Sequence, residues 1–187
     1  MTQRRNYHHG RLRDALVERA MASLEAGARP EQLSVRALAA DLGVSPAAPY
    51  RHFATHDALV AAVATRGFER LLAALDPAGD DLERLGAAYL RFAVTHPQLY
   101  RAMFQLPRDR VDDHPDLADA SARAYGRLRA AVARHRDQAG GRLPTASGSM
   151  AAWAYVHGLA VLAIDGLVPV EAVTADAELA TVLTRGL

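Results

Sequence analysis

The chain contains no cysteine and no lysine. Without cysteine it has no disulfide framework and no thiolate metal site, and a reducing compartment is the default expectation. Without lysine its basic side chains other than histidine are all arginine, which in so alanine-rich a sequence we read as coding bias. The guanidinium fork still suits phosphates and base edges, because it is planar and binds bidentately. A glycine-rich phosphate loop, a nucleophile elbow and an HExxH pattern are all missing, and the eight histidines do not fall into ligand spacing with carboxylates. An enzyme is therefore not expected, and no cofactor or metal is implied. Strand-like alternation, internal repeats and low-complexity tracts are also absent. No stretch is read as a membrane span, and the first residues lack an apolar signal core, so a soluble cytoplasmic protein is expected.

What is present is 187 residues, half of them hydrophobic. That suffices for one compact domain, or a small module followed by a larger one. The formal net charge is only +1, but its distribution is uneven. Residues 1–57 hold 8 arginines against 6 acids, and the remainder 14 against 15. A basic excess in the first third is consistent with phosphate contacts.

Periodicity predicts an all-α chain of about nine helices. Residues 1–9 form an arm, in which Arg4 and Arg5 either follow a DNA backbone or minor groove or are simply solvated. A helix over 10–26 ends at Gly27 and Pro30. Thr55 caps a later helix that runs to Leu75, with Asp57 in its first turn. The break Asp76-Pro77-Ala78-Gly79 precedes a helix that His96-Pro97 stops, and Pro97 starts another. Residues 105–115 read as an exposed connection. Helices are expected over 116–138, 147–165 and 170–187, the second apolar on so many faces that it is central or lies at an interface.

The stretch Ser34–Phe53, SVRALAADLGVSPAAPYRHF, carries the chemistry. Val35, Leu38, Ala39 and Leu42 make one apolar helix face. Gly43 follows where the chain needs positive φ, and Ser45-Pro46 signals a second helix. This is helix-turn-helix grammar, in which the second helix lies in the DNA major groove. Pro49 forfeits a hydrogen bond and crowds the Ser45 carbonyl, so a distorted or tightened turn is expected there. Tyr50, Arg51 and His52 are donors with reach, suited to phosphates. On grammar alone, a plain pair of packed helices remains the alternative.

Residues 10–64 resemble the DNA-binding domain of the TetR family of bacterial transcription regulators. The helix-turn-helix, its Tyr50-Arg51-His52-Phe53 ending, the Thr55 cap and Ala58-Leu59-Val60 carry the likeness. The opening YHHGRLRDAL and the pattern Trp153, His157, Gly158 resemble a subgroup with a Trp/His-Gly (WHG-type) C-terminal domain. The resemblance implies a homeodomain-like DNA-binding module over 1–57 and a ligand-binding and dimerisation domain over 58–187. It further implies a homodimer through the last two helices and a cavity for a small-molecule effector. Where many relatives place a phosphate-binding lysine, this chain has His56, an imidazole that is shorter and only partly charged near neutral pH.

On this reading the partner is double-stranded DNA, bound as a palindromic operator. Ser45, Pro46, Ala47 and Ala48 approach base edges, where alanine methyls meet thymine methyls. Ser34, Arg36, Tyr50, Arg51, His52 and His56 hold the backbone. Tyr89, Phe92, Tyr100, Met103, Phe104, Tyr125, Trp153 and His157 either line a partly apolar effector pocket or form plain core. Two other readings stay open: a metal-responsive regulator using His96, His114 and His157, and a helical protein-interaction module without DNA binding.

Overall fold

In the computed structural model, residues 9–139 and 144–174 are described. They are helical, with no strand among the described residues. The helices are α1 (His9–Glu25), α2 (Val35–Asp41), α3 (His56–Leu75), α4 (Leu82–Thr95), α5 (Pro97–Met103), α6 (Arg108–Val111), α7 (Pro115–Ala139), α8 (Thr145–Ile164) and α9 (Val170–Thr174). Short 3₁₀ turns occupy Pro30–Gln32, Pro49–Arg51 and Asp76–Ala78. One expected connection is partly helical: Arg108–Val111 closes a turn inside the stretch 105–115. The helix expected over 170–187 is described only to Thr174; the rest, with Arg4 and Arg5, lies outside the described residues.

The chain groups into two compact units, residues 1–67 with 98–118, and residues 68–97 with 119–187. The helix-turn-helix therefore shares its unit with α5, α6 and the start of α7. In that unit α1 packs on α2, and both meet the Pro49–Arg51 turn. Leu16 and Ala20 of α1 and Ala39 of α2 are fully buried. Each such leucine contributes about 1.5–3 kcal/mol by leaving water. The ion pair that joins the same helices, Arg19 to Asp41 at 2.8 Å, has nearly half of each side chain exposed and adds at most ~1 kcal/mol. Apolar burial therefore sets this packing, and the ion pair trims it.

In the second unit α4 packs on α8 and α9. Asp81 caps α4 by accepting from the Arg84 N–H at 2.9 Å, and Asp80 receives both Arg127 and Arg134 of α7 at 2.7 and 2.6 Å. Helix α8 is long and apolar enough by composition to cross a membrane. This corrects the sequence reading, which found no such stretch. A stripe of Ala152, Val156, Ala160 and Ala163 is buried, while Met150, Val161 and Leu162 on the same helix are exposed.

Two mid-helix glycines differ in surroundings. A Cβ on Gly67 of α3 would stand 2.5 Å from Met103 Cγ and 3.2 Å from Leu99 Cδ1, so α5 lies against α3 where a side chain is missing. A Cβ on Gly126 of α7 would meet nothing within 4 Å. Gly67→Leu should lower the unfolding free energy by about 1–3 kcal/mol, the usual cost of overpacking. Gly126→Ala should raise it by about 0.5–1 kcal/mol through helix propensity. Urea denaturation of the two variants checks the opposite signs.

Candidate nucleic-acid interface

Helix α2 is delimited at both ends by local chemistry. The Ser34 hydroxyl accepts from the Ala37 N–H at 3.3 Å. At the other end Gly43 takes φ +66, and the N–H groups of Gly43 and Val44 return to the carbonyls of Ala40 and Ala39, each at 3.0 Å. This is a Schellman turn, which a residue with a Cβ would strain. It turns the chain sharply into Ser45.

The second helical segment is a run of tight turns. Ala48 N–H reaches the Ser45 carbonyl at 3.1 Å, Arg51 N–H the Ala48 carbonyl at 3.4 Å, and His52 and Phe53 N–H share the Pro49 carbonyl at 2.9 Å. Pro49 has no N–H to continue an α-helical ladder, and three-residue closures take over. The tightening expected at Pro49 is present: three-residue closures and a 3₁₀ turn stand where the sequence predicts a second helix, and only the Phe53 N–H closes a four-residue bond. Pro49 is itself buried, and Phe53 is 1% exposed beneath the Arg13 guanidinium, 5.7 Å above its ring. These two apolar anchors leave Ser45, Pro46, Ala47, Tyr50 and Arg51 exposed, with Ala48 and His52 half-buried. Tyr50 is 51% exposed, unusual for so large a ring. Ser34 and Arg36 are exposed at the start of α2.

Thr55 caps α3, its hydroxyl accepting from the Ala58 N–H at 3.1 Å. His56 follows, half-buried, with Nε2 3.3 Å from the Pro30 carbonyl and Nδ1 3.9 Å from Asp57 Oδ1. Both ring nitrogens thus face protein groups. The Asp57 carboxylate meets Arg110 of α6. Sequence reasoning missed that partner, because the two residues are 53 positions apart and α6 read as a loop.

The aromatic candidates fall into two sets. Tyr100, Met103 and Phe104 belong to the first unit. Tyr100 and Met103 are buried, and the Tyr100 and Phe104 rings lie 5.0 Å apart. Tyr89, Phe92, Tyr125, Trp153 and His157 belong to the second unit. Phe92 is buried and stacks obliquely on His96, whereas the other four are half-buried and linked. Trp153 meets Tyr125 edge-on at 5.9 Å and His157 at 5.7 Å, and Tyr89 Oη lies 3.3 Å from His157 Nδ1. Burial lowers the His157 pKa below its ordinary 6.5. Its ring is therefore a neutral hydrogen-bonding group among aromatics at physiological pH. Of the three histidines considered for a metal, His114 is in the first unit, His96 and His157 in the second. Among the described residues no three His, Asp or Glu side chains converge.

Comparison with known proteins matches both parts of the chain. Residues 30–63 match the family described as bacterial regulatory proteins, tetR family. Residues 82–186 match the tetracyclin repressor-like C-terminal domain. Among solved structures, a protein of unknown function from Rhodococcus sp. RHA1 is 32% identical, with a TM-score of 0.77 and 98% of each chain covered. A TetR family transcriptional regulator, PfmR from Thermus thermophilus, is 23% identical, with a TM-score of 0.61 over 92% of this chain and 98% of that one. A bacterial regulatory protein in the tetR family from Rhodococcus RHA1 is 18% identical, with a TM-score of 0.61 over 95% of each. These last two show the fold alone. No curated protein matches.

The His157 shift makes stability depend on pH with a definite sign. The folded chain binds this proton more weakly than the unfolded chain, so the contribution is full above pH 6.5 and is lost as pH falls towards the lowered folded value. His157→Gln should flatten the loss of Tm between about pH 8 and about pH 5 relative to wild type. Thermal unfolding across that range measures it.

Proposed function

The chain belongs to the TetR family of bacterial regulatory proteins, and from that membership we propose a cytoplasmic, ligand-responsive repressor. In this reading a homodimer binds a palindromic operator and a small-molecule effector releases it. The observation that carries the reading is the exposed row Ser45, Ala47, Tyr50 and Arg51, held on buried Pro49 and Phe53. A rigid apolar footing beneath polar, outward side chains suits docking on a duplex, where phosphate contacts set position and base contacts set sequence. Residues 45–48 read bases; Ser34, Arg36, Tyr50, Arg51, His52 and the start of α3 hold the backbone, with Arg4 and Arg5 following it. Functionally, residues 1–57 bind DNA and 58–187 bind effector and dimerise.

The dimer face is the exposed side of α8. Met150, Ala154, Gly158 and Leu162 recur at four-residue steps, with Val161 alongside. Met150 is 53% exposed and Leu162 39%, an apolar surface that a second copy of the helix would cover. The effector site is assigned to Tyr89, Tyr125, Trp153 and His157, half-buried aromatics around one neutral imidazole. This cluster supports the Trp/His-Gly subgroup. Helix α3, whose chain runs from the DNA-binding end into the second unit, is the lever in a population shift. Effector would favour a dimer whose two reading segments are wrongly spaced for two half-sites.

The test is a gel shift and footprint on the DNA upstream of its own coding sequence, repeated with candidate effectors. A specific, symmetric footprint lost on effector addition supports the proposal. Absence of binding at low salt favours a protein-interaction module instead. Arg51→Ala should weaken binding to all duplexes and reduce the log–log salt slope by about 0.9 for each arginine lost. An unchanged slope removes Arg51 from the footprint. Ala154→Glu should yield a monomer in sedimentation and abolish binding to a two-half-site operator, while a persisting dimer places the interface elsewhere.

A further inference from the structure

We infer that Arg110, on α6, is a positioning residue for DNA binding: it neutralises Asp57 so that the start of α3 accepts a phosphate. The inference rests on the DNA-binding reading above.

The physical problem is local. Asp57 is the second residue of α3, directly after His56 and six residues after Arg51. A carboxylate here suits the positive end of the helix dipole and so stabilises the helix. The same carboxylate repels a phosphate brought to that end. Its side chain is 29% exposed, so water screens it only in part. His56 is a more distant partner for it, with Nδ1 3.9 Å from Asp57 Oδ1 and Nε2 turned to the Pro30 carbonyl.

Arg110 supplies the missing charge. Its guanidinium meets Asp57 Oδ2 directly, while Nε stands 3.9 Å from the more exposed Asp113. Chain proximity does not bring Arg110 there: α6 is a single turn 53 positions from Asp57, and its neighbouring Arg108 pairs locally instead, with Asp112 at 3.3 Å. The turn is held in this unit by α5, which lies against Gly67 through Leu99 and Met103. Stability alone is a weak reason for the pair. An ion pair this exposed adds at most ~1 kcal/mol, and Asp57 already favours the helix end without it. Its larger effect falls on an incoming anion, which meets a neutral pair in place of a carboxylate.

The experiment measures binding of the full chain to a duplex from upstream of its own gene and to a random-sequence duplex. Arg110→Ala should weaken both by about fivefold at low salt, the weight of one charge at a helix terminus. The ratio should shrink as salt rises, because screening acts on through-space repulsion. Asp57→Asn in the Arg110→Ala background should restore wild-type affinity. In the Asp57→Asn background Arg110 is an unmatched cation, so Arg110→Ala there should weaken binding only back to the wild-type level, never below it. Thermal unfolding alongside separates this from a purely structural role, which would lower Tm, show no salt trend and not be rescued by Asp57→Asn. If the obvious variant folds poorly, Asp57→Asn alone still decides: it should bind DNA at least as tightly as wild type, and clearly weaker binding overturns the inference. Wild type that binds neither duplex overturns the DNA-binding reading itself. Wild type that binds, with Arg110→Ala binding equally well, overturns only the role of Arg110.

Discussion

Pro49 has no N–H, so the bond that a helix starting at Ser45 would close onto the Ser45 carbonyl is unavailable. The chain answers with a closure one residue shorter, from the Ala48 N–H, and then repeats it at Arg51 and His52. A 3₁₀ turn rises faster per residue than an α-helix and aligns side chains three apart. The outward row at 47 and 50 is therefore a consequence of the proline. The Pro49 ring is also buried, so the residue that tightens the backbone anchors the segment as well. Phe53 completes the footing four residues on. Backbone geometry and core packing here have one cause, and the exposed residues inherit their positions from it.

The electrostatics of the same unit follow from an all-arginine composition. Arginine pairs well with carboxylates, and the acids on these elements are largely taken: Asp41 by Arg19, Asp57 by Arg110, Asp14 by Arg66 at 3.7 Å. Each pair is modest as a source of stability, since the groups stay wet. Their collective result is that three of the unit's carboxylates, on α1, α2 and α3, are matched by arginines from other helices. Arg36 and Arg51 stand exposed in the same unit. An overall charge of +1 conceals this arrangement, because net charge counts groups and ignores which are paired.

Local chemistry explains what the sequence made legible. The cap at Thr55, the positive φ at Gly43 and the breaks at Pro77 and Pro97 are short-range effects, and each stands where its residue type requires. What eluded the sequence is long-range. Residues 98–118 group with the helix-turn-helix because α5 finds Gly67, a complementarity between a missing side chain and a methionine that no periodicity encodes. The partner of Asp57 was hidden for the same reason. Among the aromatic candidates, spacing of four residues on a helix accounts for the contacts of Trp153 with His157 and of Tyr100 with Phe104. It could not tell that these pairs belong to different compact units.

Helix α8 shows why uniform apolarity is informative only with a neighbour list. A helix apolar on every side has no preferred direction of burial in sequence, and by composition alone it passes for a membrane span. Its residues divide among three environments. Ala152, Val156, Ala160 and Ala163 are buried where it packs with α4 and α9. Trp153 and His157 face Tyr125 and Tyr89, close enough for ring contact and a hydrogen bond. Met150, Val161 and Leu162 stay exposed. Small residues on the first stripe allow close packing; large aromatic and polar groups on the second leave half-covered surface around one imidazole. The third is unexplained by anything else in the chain that is described. A rigid helix cannot shift one of these faces without moving the others, so whatever displaces the Trp153–His157 face also moves the exposed Met150, Val161 and Leu162.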